Sequence, residues 1–400
     1  GEGEGDEEEE EGEEEGEGEG AGAPGESTAR PPPRLTPRPY LSPTPPGDPS
    51  SPGFVCECFH AASRLFHVGL MPAVNRFTEG WERMGRAGRE GGGEGEGGPS
   101  LEEALFRDSG LAHLLEPDLA SDATGFAVLS ISWVAHLLST GGPDAVAAVP
   151  EFLLRDAAAW VSFCVRCGGA DVVGGSDVAA LVGGVSAFLR ADGVAARSPL
   201  AAAACMEMLQ AMLAPQLDKR RVVGWAQGAS LGPTAMSPGE RALVASVLAT
   251  GAAQAALIPA LMRAHAGADV VVGLDVDRDR FDKFGFRTQV DALLMELWSD
   301  ATCLASTARL AAGGGADAAS FDAYVGAVLN SLIYLLDDCL VRLQAMADVE
   351  AAKAAGGGAA WAALPARERA AKEAFLQGEA GVTRGFMGMA VRCLAVLDRL

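Results

Sequence analysis

The sequence predicts an all-α fold, and three observations carry that prediction. Apolar residues recur every three or four positions through most of the chain beyond residue 53, the spacing of one helix face. The stretches so marked are separated by glycine-rich breaks: GRAGREGGGEGEGGPS, GGADVVGGS, AAGGGAD and AAGGGAA. No β-branched alternation of any length appears apart from the short run DVVVGL.

Taken in order, the first segment belongs to no helix. Residues 1–53 join an acidic Gly/Glu tract to the proline-rich PPPRLTPRPYLSPTPPGDPSSPG, and neither can bury enough apolar surface to offset the entropy of ordering. This tail is expected to be disordered, its proline-rich part a linker or a polyproline ligand. Residues 54–400 are expected to be helical. Phe54–Arg83 and Leu101–Leu115 come first, divided by the longest Gly/Glu break. Ala123–Ser139 follows and stops at a Gly-Gly-Pro turn. Pro150–Arg166, Asp177–Leu189 and Pro199–Leu213 lie between glycine or proline signals. Thr250-Gly251 parts Gly239–Ala249 from Ala253–His265. In Phe284–Ala311, helical spacing is kept by Phe286, Val290, Leu293, Leu294, Leu297 and Trp298. Phe321–Ala352 carries Phe321, Val325, Val328, Leu332, Leu335, Leu336, Cys339 and Leu343 as one apolar stripe. Pro365–Leu400 closes the series. Each such stripe must lie against neighbouring helices, a buried leucine contributing roughly 1.5–3 kcal/mol. Many amphipathic helices without a sheet imply a bundle or an elongated armadillo/HEAT-like repeat scaffold, irregular because no fixed period is found.

Composition narrows the function. Of the 23 net negative charges, 14 sit in residues 1–26, which hold no base, leaving about nine on the rest. No basic stripe is available to neutralise phosphates, so nucleic acid is not an expected partner. The eight cysteines are sparse, and Cys164, Cys205, Cys303, Cys339 and Cys393 fall within apolar helical patterns. Reduced, packed thiols in an intracellular protein are expected, not a disulfide framework. The first residues show no signal sequence, and the missing initiator methionine points to a fragment. Two uncharged runs, Ala123–Pro143 and Ala242–Met262, are long enough to span a bilayer. The first ends at His136 and a turn, and the second is mostly alanine broken at Thr250-Gly251. Both are read as buried helices of a soluble protein, with no membrane partner.

Four motifs carry residue types suited to chemistry. Asp275, Asp277 and Asp279 open like a calcium loop, but Arg280 replaces the required glycine and Phe286 the closing carboxylate. Cys56, Cys58 and His60 offer three soft ligands without the second pair that zinc needs. Cys164 and Cys167 have redox spacing, yet they close an apolar helix instead of opening one. Asp337-Asp338 flanks an apolar stripe, where a solvated edge or an ion pair is the expected role. No serine elbow and no phosphate loop are found. No catalytic, cofactor-binding or metal residue is therefore nominated, and no cofactor is expected.

A set of segments nevertheless resembles a known family. FDKFGFR leading to a helix that closes on ELW (Phe281–Trp298) is similar to a core segment of the ubiquitin conjugation factor E4 family. So, in the family's order, are FVCECFHAASRLFHVGLMPAVNRF (Phe54–Phe77), VPEFLLRDAAAWVSFCV (Val149–Val165), RSPLAAAACMEML and LIPALMR. LNSLIYLLDDCLVRLQ (Leu329–Gln344) and WAALPARER (Trp361–Arg369) complete the series. His60, Gly285 and several Gly/Ala insertions depart from the family pattern.

The resemblance implies an irregular armadillo-like scaffold over residues 54–400, truncated before any U-box. It implies a ubiquitin-protein transferase that elongates ubiquitin chains on already ubiquitinated substrates for proteasomal degradation, this piece alone being inactive. The partners implied are a ubiquitin-conjugating enzyme recruited through the absent U-box, polyubiquitinated substrates, an AAA segregase ATPase and ubiquitin-like shuttle proteins. Cytoplasm and nucleus are the locations implied. The alternative from the residues alone is a non-enzymatic helical-repeat adaptor.

Overall fold

The computed structural model describes residues 53–90, 101–146, 149–191, 193–216, 236–271, 282–313 and 316–400. The tail expected to be disordered, apart from Gly53, and the Asp275–Asp279 carboxylates lie outside the described residues. Among the described residues there is no strand, and the all-α prediction holds. Residues Cys58–Leu400 form one packed unit.

The helices are α1 (Phe54–Leu65), α2 (Met71–Glu90), α3 (Leu101–Leu114), α4 (Pro117–Val146), α5 (Glu151–Phe163), α6 (Gly175–Arg190), α7 (Val194–Arg197) and α8 (Pro199–Leu213). Then come α9 (Pro238–Leu248), α10 (Ile258–Val271), α11 (Lys283–Leu297), α12 (Ala301–Ala312), α13 (Ala316–Ala354), α14 (Ala359–Ala363) and α15 (Ala366–Arg399). Among the described residues, three wider π turns interrupt the predicted helices. Phe66–Leu70 joins α1 to α2, Cys164–Gly168 extends α5, and Ala253–Leu257 leads into α10.

Local chemistry explains the boundaries. α4 kinks where Gly142 takes φ 70° ahead of Pro143, which has no N–H to continue the ladder. The predicted Gly-Gly-Pro stop is therefore a kink inside a longer helix. Ser237 and Glu240 cap each other's backbone at the start of α9. The Ala242–Met262 run bends by 68° between α9 and α10, and its residues from Leu257 to Met262 are buried. By length and composition alone, α4, α13 and α15 would each suffice to cross a bilayer.

Two further sequence expectations need correction. Phe284–Ala311 is two helices, because Asp300 ends one and caps the next, accepting from the Thr302 and Cys303 amides. On α13, Leu336 and Leu343 do not join the buried stripe. They are exposed, while Val328, Leu332, Leu335 and Cys339 are covered. The expected stripe drifted across two faces of a helix that is apolar on both.

The core runs continuously through the unit. α4 is covered by α5 and α6, α5 by α8, α6 by α10, α8 by α9 and α11, α10 by α11 and α13, and α13 by α15. Each layer thus supplies the apolar face that the next helix needs, the packing logic of stacked helical units. Trp160 and Trp298 are among the largest fully buried side chains.

Candidate functional site

The first residues of α11 show what the FDKFGFR string does physically. Asp282 caps the helix, its Oδ1 accepting from the Gly285 amide at 2.9 Å. A Cβ on Gly285 would fall 2.3 Å from Asp282 Oδ2, so a larger residue there would make the capping carboxylate shift. The Lys283 ammonium lies 5.1 Å from the Phe284 ring centroid, and that ring stacks on Tyr334 of α13 at 5.7 Å. Arg287, buried, donates to the His265 carbonyl at 3.2 Å and to Ser331 Oγ at 2.9 Å. One short string thereby ties α10, α11 and α13 together.

A turn further on lies a second buried charge. The Asp291 carboxylate accepts from Tyr324 OH at 2.8 Å, and His265 Nε2 is 3.5 Å away. All three side chains are almost wholly buried. Burial pushes the Asp291 carboxyl up to about 6, against the Tyr324 hydrogen bond and the Arg392 and Arg287 charges, which pull it down. Tyr324 is held well above its ordinary value, first by burial and then by Asp291. The His265 and Tyr324 rings meet edge to face at 4.9 Å. A buried acid, base and phenol can in principle move protons. This cluster sits inside the packing of four helices, where a substrate atom has no way in. Its chemistry is that of a polar lock.

Sequence reasoning missed this lock. The signal was present: Arg287 and Asp291, four apart, interrupt the apolar stripe Phe286, Val290, Leu293, Leu294, and charges on a covered face need partners.

Near the start of the unit, His67 Nδ1 is 2.5 Å from Asp156 Oδ2, and its ring stacks on Phe152 at 4.3 Å. Arg155 Nε also donates to Asp156, at 3.1 Å. The buried carboxylate is shared by two bases and anchors the first π turn to α5. Glu151, from the Pro-Glu-Phe string, reaches across to α8, where its Oε1 accepts from the Leu200 and Ala201 amides at 3.2 Å each. It satisfies N–H groups that α8 cannot use itself.

Cys56 and Cys58 are exposed and His60 half-buried against Trp133. No group of three or more metal-ligating side chains is found among the described residues. Cys164 is buried and its thiol pushed up to about 12, mainly by desolvation, while Cys167 is half-buried. Asp337 is exposed, and Asp338 pairs with Arg342, which also holds Glu379 of α15.

Compared with known families, the chain matches one described as ubiquitin elongating factor core, over residues 107–400. No curated protein and no solved structure matches it.

Proposed function

Because this chain belongs to the ubiquitin elongating factor core family, we propose that it is the helical scaffold of an E4-type factor that lengthens ubiquitin chains on substrates already ubiquitinated. The observation that carries the reading is the family match over residues 107–400, which takes in most of the packed helical unit. In this reading the thioester chemistry belongs to a conjugating enzyme recruited by a U-box outside the helical part. The helices hold acceptor and donor at a fixed separation, and positioning alone can supply much of the rate of such a transfer. The family strings support the rigidity this requires: Asp282 and Arg287 lock α11, and Glu151 locks α8. Polyubiquitinated substrates, an AAA segregase and ubiquitin-like shuttle proteins are the partners of this reading, in cytoplasm and nucleus.

The test is retention of a model substrate on the immobilised chain, with and without a ubiquitin chain attached. At least tenfold better retention of the ubiquitinated form is expected, a difference of about 1.4 kcal/mol. Added alone to activating enzyme, conjugating enzyme and ubiquitin, the chain is expected not to lengthen ubiquitin chains. Equal retention of both substrate forms would overturn the reading and favour an adaptor for other cargo.

A further inference from the structure

We draw no further inference here: the strongest candidate, the surface patch of exposed apolar side chains on α13 (Leu329, Ile333, Leu336 and Leu340), carries none because nothing in the structure shows what covers it.

Discussion

Trp298 shows how a single side chain closes a layer. Its ring is 1 % exposed, and its Nε1–H donates to Thr307 Oγ1 at 2.8 Å, so the indole pins the end of α11 to α12. Trp298→Ala is expected to cost about 3–5 kcal/mol in denaturant unfolding, the range for emptying a buried aromatic site. A loss under about 0.5 kcal/mol, the usual surface effect, would mean that the ring is not packed there. Asp291 gives a different kind of test. Its carboxyl sits at about 6 when folded, above the ordinary 3.8. Between those values the folded chain keeps a proton that the unfolded chain has released. The stability this group contributes is therefore complete below pH 3.8 and declines as pH rises to about 6. The stability of the wild type relative to Asp291→Asn is expected to fall by about 2 kcal/mol between pH 4 and pH 7, as read from paired denaturant curves. A flat difference would show the carboxyl to be ordinary. Trp298 was legible from its place in the apolar period. The Asp291 lock was not, because His265 and Tyr324 lie 26 and 33 positions away on either side, and periodicity carries no information on which helices meet.

Helix ends were the least legible elements, and the reason is visible at Ser299-Asp300. The apolar period runs through the break with Cys303 in phase, so pattern alone predicted one long helix. The local signal was an aspartate able to cap the next turn. Glu151 extends the point: a cap can come from a different helix, so no window of sequence around α8 reveals it. Glu151→Ala is expected to cost about 0.5–2 kcal/mol, the usual worth of an N-terminal cap. Glu151→Gln keeps an acceptor oxygen and is expected to lose less than half of that. Thermal or urea unfolding of the two variants separates them. Equal losses would assign the contact to charge alone, and no loss to an unoccupied cap. The π turns were invisible for a related reason. Each shifts the phase of its helix by one residue, which a pattern of mixed apolar residues absorbs.

For the molecule as a whole, the all-α class and the burial of particular thiols were legible, because both follow from where apolar residues recur. Which of two apolar faces of α13 is covered was not legible, since hydrophobicity marks a face without naming its neighbour. The thiols turn this into a test of how the unit holds together. Cys164, Cys205, Cys303, Cys339 and Cys393 are buried at points spread from the end of α5 to α15, whereas Cys56 and Cys58 are exposed. Burial also raises the thiols of Cys164 and Cys205 to about 12 and those of Cys303 and Cys393 to about 11, leaving little reactive thiolate at neutral pH. Native labelling with a thiol reagent is expected to consume Cys56 and Cys58 at once and Cys167 more slowly. The five buried cysteines then wait on opening of the unit. If its layers support one another as the continuous packing from α4 to α15 implies, all five react at one shared rate, set by global unfolding. If the layers part singly, Cys339 and Cys393 react well before Cys205, because α13 and α15 keep an exposed apolar side while α8 is enclosed. Mass spectrometry of each cysteine peptide against time separates the two outcomes, and a staggered series would reject the view of the chain as one cooperative scaffold.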